Sequence, residues 1–161
     1  MSDERSELVL VVAPIERDAE LMVAQLTTAG LNATPCKDIR DVCGRLVDGA
    51  GALVLTEEAL PAAALAELTQ VLRDQPPWSD FPIVLLTRQG GGPERNPDAA
   101  RLAQALGNVT FLERPFHPTT LVSIVGSAVR GRRRQYEARA ILRDLTESGQ
   151  LLQTALKAGQ L

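Results

Sequence analysis

The chain reads as an α/β domain built on one parallel five-stranded sheet and closed by an unusually long helix. Three observations carry this. Five short apolar segments rich in Val, Leu and Ile recur between Leu8 and Glu113, and helix-patterned stretches separate them. The segments are continuous rather than alternating, as in strands covered on both faces, and strand–helix alternation implies right-handed crossovers and a parallel sheet. Beyond Pro118 the helical pattern then runs on far past the length of a domain helix.

The elements follow in order. Leu8 to Ala13 (LVLVVA) is the first strand and Pro14 ends it. Arg17 to Ala29 repeats apolar residues at helical spacing and stops at Gly30. Leu31 to Cys36 is a short second strand, placed near an edge because Pro35 has no ladder donor. Asp38 caps a helix carrying Ile39, Val42, Cys43, Leu46 and Val47, which ends at Gly49 and Gly51. Ala52 to Thr56 is the third strand, and Pro61 opens a helix to Arg73. Phe81 to Thr87 is the fourth, with Pro82 at its start. Gln89 to Pro97 is the longest structureless segment and the expected mobile loop. A short helix from Asp98 to Leu106 and a fifth strand from Val109 to Glu113 complete the pattern.

Composition sets bounds on function. With 161 residues, 45% apolar and 23% charged, the chain fits one globular domain plus an appendage. Three Phe, one Trp and one Tyr leave the core to aliphatic residues. A net charge of −3 gives no case for nucleic acid as a partner. Cys36 and Cys43 have neither CxxC nor metal-site spacing and are expected to be reduced core thiols. No apolar run approaches the roughly 18 residues needed to cross a bilayer. The acidic start is unlike a signal peptide, so a cytoplasmic chain without membrane contact is expected.

In an open parallel sheet the working crevice lies beyond the carboxyl ends of the strands. Here those ends are Ala13/Pro14, Thr56, Thr87 and Arg114, the last inside the run Phe111-Leu112-Glu113-Arg114-Pro115-Phe116. By the order and spacing of Thr87, Phe111 and the Arg114-Pro115-Phe116 corner, residues 7 to 130 resemble the receiver domain of two-component response regulators. The resemblance implies a flavodoxin-like (CheY-like) three-layer sandwich with strand order 2-1-3-4-5. In that family a carboxylate ending strand three accepts phosphate, two acids after strand one hold magnesium, and a lysine ending strand five pairs with the phosphoryl oxygens. A hydroxyl ending strand four and a mobile aromatic on strand five complete the set.

Carried over position by position, the acid pair falls on Ala13 and Pro14, which have no side-chain oxygen, and the phosphoacceptor on Thr56, a neutral alcohol. Arg114 stands for the lysine, while Thr87 and the switch aromatic Phe111 match. Pro115 is the candidate for a cis peptide at the corner. A phosphoryl acceptor must be an anionic oxygen and its metal needs hard oxygen ligands. The expectation is therefore a degenerate, phosphorylation-incompetent pseudo-receiver: not an enzyme, with no metal and no cofactor. Two alternatives stand beside it. One is a live receiver with atypical ligands, using Thr56 or Glu57 as acceptor; the other is a small-molecule site in the emptied crevice. A Glu57–Arg114 pair would need a one-residue slip that the hydrophobic pattern resists, so the acids after Thr56 are read as a solvated loop and helix start.

The last helix carries the remaining signal. With Leu121 as a heptad a position, eight of eleven a/d sites are apolar: Leu121, Ile124, Ala128, Ala138, Leu142, Leu145, Leu152 and Leu156. Gly131, Gln135 and Gly149 interrupt them. This predicts a homodimer through the helix, with residues 1–128 as the receiver-like domain and 129–161 as a signalling and dimerisation helix. Residues 128–145 and 151–161 resemble the connection between an amino-terminal receiver and the PAS and kinase modules of bacterial sensor histidine kinases. That likeness implies a downstream sensory or kinase partner module within a longer parent chain. Arg130, Arg132, Arg133 and Arg134 are read as a solvated face, His117 as a capping or surface residue, Gly90-Gly91-Gly92 as plain flexibility, and Trp78 as a local packing anchor.

Overall fold

The computed structural model describes residues 4–159. Its sheet has strands β1 (Val9–Val12), β2 (Ala33–Pro35), β3 (Ala52–Thr56), β4 (Ile83–Thr87) and β5 (Val109–Glu113), all parallel, in the order β2-β1-β3-β4-β5. The helices are α1 (Glu16–Thr28), α2 (Ile39–Leu46), α3 (Ala62–Arg73), α4 (Pro97–Leu106) and α5 (Pro118–Lys157). Alternate residues of the central strands feed two cores. Leu10, Val12, Leu53, Leu55, Ile83 and Leu85 meet Ile39, Val42, Leu68 and Leu72 of α2 and α3. On the other face Val9, Val11, Val54, Val84 and Leu86 meet Met22 and Leu26 of α1 and Leu121, Val125 and Val129 of α5. The result is the three-layer sandwich, and it explains why the strands read as unbroken apolar runs.

Local chemistry sets the boundaries. Pro35 lies opposite Val11 on the edge strand, where its missing N–H costs no ladder bond. Asp38 caps α2 by accepting from the Asp41 N–H at 2.9 Å. His117 caps α5, its Nδ1 accepting from the Thr119 N–H at 3.1 Å. Asn96 caps α4, which therefore begins at Pro97 rather than Asp98. Two 3-10 turns, Glu4–Glu7 and Glu57–Ala59, leave no periodic signature in the sequence. The thiols of Cys36 and Cys43 are free, and burial pushes the Cys36 pKa up to about 11.

The glycine-rich loop is tied down, contrary to the expectation of plain flexibility. Gly90 and Gly92 donate backbone N–H bonds to the Glu113 carboxylate at 3.3 and 3.4 Å. A β-carbon at Gly91 would lie 2.8 Å from that of Thr87, so only glycine fits where this loop leaves β4.

Helix α5 spans 40 residues and passes through Gly131 and Gly149 without a break. Its first half belongs to the domain. Leu121 is fully buried in the second core, and Ile124 and Ala128 pack against it. Leu121 therefore forms no part of an intermolecular seam, because the chain's own core covers it, while Ile124 and Ala128 are half-buried at the edge of that core. Ala138, Leu142, Leu145, Leu152 and Leu156 are exposed.

The arginine cluster also needs correction. Arg132 is 5% exposed and lies among Trp78, Phe81 and Tyr136, with its guanidinium carbon 4.7–5.3 Å from the three ring centroids. Its Nε donates to Ala50 O at 3.1 Å, and its Nη1 to Ser79 Oγ and Gln135 Oε1, both at 2.7 Å. Gln135 in turn accepts from the Asp80 N–H and donates to Asp80 O. No carboxylate forms an ion pair with Arg132 among the described residues, so its charge is met by carbonyl, hydroxyl and amide oxygens and by ring faces. Burial lowers its pKa. Arg139 lies over Trp78 at 5.1 Å, so α5 stays in contact with the body well past residue 128.

Candidate functional site at the strand tips

The register places the ends of β1, β3, β4 and β5 side by side. At the tip of β1, Ala13 is a nearly buried methyl and Pro14 is exposed. Thr56 ends β3 and is 5% exposed. Its hydroxyl completes no hydrogen bond, although it lies near enough to Glu58 to help hold that carboxylate ionised. Thr87 ends β4, fully buried, and donates to Arg88 O at 3.1 Å. Arg114 follows β5, with its backbone N–H and its Nε both donating to Thr87 O, at 2.8 and 3.1 Å. The Arg114–Pro115 peptide is cis. Phe111 is half-buried against the first core and borders a shallow cleft with Gln89, Gly92, Pro93 and Glu113.

The acids after Thr56 are part of this site, and reading them as a solvated loop is incorrect. The 3-10 turn Glu57–Ala59 folds both side chains toward Arg114, with no slip in the register of β3. Arg114 Nη2 lies 2.5 Å from Glu58 Oε1 and 3.7 Å from Glu57 Oε1. Glu57 also accepts from the Arg88 N–H at 3.0 Å. The missed residue is Glu58, and its signal was available: two adjacent acids at one strand tip, with cations, Arg88 and Arg114, at the tips of the next two strands.

The hydrogen bond from Arg114 holds the Glu58 pKa below the ordinary glutamate range, against a smaller opposing effect of partial burial. A carboxylate with a depressed folded pKa adds stability above its unfolded value near 4.3, and that stability is lost as pH falls through the folded value. The Glu58 side chain is about half exposed (49%), so solvent screening limits the pair to roughly 0.5–1 kcal/mol. Glu58→Gln is expected to flatten the acid side of the stability–pH curve by that amount while leaving neutral-pH spectra unchanged. Identical curves for both proteins below pH 5 would remove the pair from the account.

A magnesium ion does not fit these residues. The tip of β1 offers a methyl and a proline ring, Thr56 is neutral, and Glu57 and Glu58 are engaged by Arg114. Among the described residues, no three His, Cys, Asp or Glu side chains cluster closely enough to hold a metal ion. No helix among them is long and apolar enough to cross a membrane.

Sheet order, crevice position and the cis corner together define a domain of the receiver fold. Solved structures agree. The chain superposes on full-length FixJ from B. japonicum with a TM-score of 0.62 and 24% identity, covering 89% of this chain and 67% of that one. A response regulator receiver domain from Clostridium thermocellum gives 0.62 at 14% identity over 78% and 96% of the two chains. Chemotaxis protein CheY4 from Vibrio cholerae gives 0.60 at 20% identity over 75% and 97%. No protein-family profile matches the chain, and no curated protein matches it.

Proposed function

We propose that this chain is a receiver-like regulatory module of two-component signal transduction that does not accept phosphate. In this reading it works in the cytoplasm by protein–protein contact, including homodimerisation, and not as an enzyme. The carrying observation is that Arg114, standing where a receiver's phosphate-pairing cation stands, is already clasped by Glu58 and Glu57. The tip of β1, Ala13 and Pro14, supplies no side-chain oxygen to a metal. The two glutamates place fixed negative charge beside the strand-five cation, so the module is held in one state instead of being switched by phosphorylation. Its output then passes along α5, which leaves the sheet and runs to Lys157. The partner in the same parent protein is a downstream sensory or histidine kinase module.

The test is incubation with acetyl phosphate, or beryllofluoride, and magnesium. Unchanged intact mass and unchanged amide spectra are expected. An adduct at Thr56 or Glu57 would establish a live receiver in place of this reading.

A further inference from the structure

From Ala140 to Thr154 every residue of α5 is exposed. Large apolar side chains concentrate from Ile141 to Leu156: Ile141, Leu142, Leu145, Leu151, Leu152 and Leu156 are 54–72% exposed, and of these Leu151 alone points off the common side. At 3.6 residues per turn, Ala138, Ile141, Leu142, Leu145, Gly149, Leu152 and Leu156 fall within an arc of about 100°. Between Ala138 and Leu156 no charged residue lies in that arc; Arg143, Asp144 and Glu147 all fall outside it. The residues that face the body, Val125, Val129, Arg132, Tyr136 and Arg139, centre about 150° away around the axis. The stripe thus looks away from its own domain, except that Leu142 at its edge also borders the groove between α5 and the body.

Gly149 indicates what does cover it. A glycine inside a helix costs about 1 kcal/mol relative to alanine. Here it has no positive φ, and a β-carbon would meet nothing within 4 Å, so the chain's own fold gives no reason for it. We infer that the stripe pairs antiparallel with the same stripe of a second copy. In that alignment Ala138 faces Leu156, Leu142 faces Leu152, and Leu145 of one copy sits over Gly149 of the other. Two of these layers set a large side chain against a small one and the third joins two leucines, so every space is filled. The flanks match too, with Ile141 beside Ala155 and Ser148 beside Ser148. A parallel alignment would instead stack Gly149 on Gly149 and Ala138 on Ala138. Those layers would lie among leucine layers that hold the helices apart, leaving voids that are costly to keep. This inference rests on the reading of distal α5 as a contact element, and is independent of whether the crevice takes phosphate.

The experiment uses the full chain with Cys36→Ala and Cys43→Ser. Light scattering is expected to give twice the chain mass, and Leu145→Glu, at an exposed position, to halve it with unchanged circular dichroism. Under mild oxidation Leu142→Cys alone and Leu152→Cys alone should give no disulfide dimer, while an equimolar mixture of the two should. A disulfide dimer from Leu142→Cys alone would overturn the antiparallel alignment. A wild-type chain at single mass, or a dimer that survives Leu145→Glu, would overturn the pairing itself. The phosphoryl test reads adduct formation and the cysteine mixture reads alignment, so the phosphate-refusing reading and the antiparallel pairing can each fail without the other.

Discussion

Replacing Arg132 by alanine is expected to lower the unfolding free energy by about 3 kcal/mol. Truncation leaves a void between Trp78, Phe81 and Tyr136. It also strips partners from Ala50 O and Ser79 Oγ. Lost packing costs on the order of 2 kcal/mol and the lost hydrogen bonds about 1 kcal/mol more, since Ala50 O keeps the Tyr136 hydroxyl and Ser79 Oγ keeps Gln75. Arg132→Lys should recover little, because a point-like ammonium cannot span three hydrogen-bonding directions while lying flat on rings. Next in sequence, Arg133 pairs with Glu7 at 2.6 Å with both side chains substantially exposed. Arg133→Ala should therefore cost no more than about 0.5–1 kcal/mol. Urea denaturation of the three variants checks this, and equal midpoints for Arg132→Ala and Arg133→Ala would show that the buried network holds nothing.

Thr56→Val is expected to act in the opposite direction, raising stability by about 1 kcal/mol. The Thr56 hydroxyl is buried without a completed hydrogen bond, and removing such a group relieves a desolvation cost of roughly 1–3 kcal/mol. Loss of its influence on Glu58 offsets part of the gain. Thr87→Val is the contrast: that hydroxyl is bonded to Arg88 O, and its removal should not stabilise. If Thr56→Val lowers the denaturation midpoint, the hydroxyl has a partner that the geometry does not reveal. A stabilising change at the tip of β3 would also suit the proposed reading, in which this crevice carries no chemistry.

The fold was legible because strands buried on both faces leave unbroken apolar runs whose ends locate the crevice. Ala13, Thr56, Thr87 and Arg114 were identifiable for that reason. Glu58 was not, because its position depends on one 3-10 turn and on the reach of a flexible side chain, and neither leaves a period in the sequence. Arg132 was hidden by its neighbours, since four arginines within five residues look like one solvated face. Only the phase of the helix separates them: Val125, Val129 and Arg132 fall on one side. The same phase explains why Leu121 drops out of the expected seam, because a heptad frame begun at Leu121 starts on the face turned to the sheet and continues on one turned away.

The anchoring of Arg132 has a mechanical consequence. From that guanidinium to Lys157 the helix extends about 38 Å at 1.5 Å per residue. It is gripped near its base, by carbonyls and rings at the amino-terminal edges of β3 and β4. A pivot of about 10° there would sweep the far tip through roughly 7 Å. The domain holds a long tiller by its short end, so a movement too small to disturb the sheet arrives at the tip as a displacement larger than a helical turn.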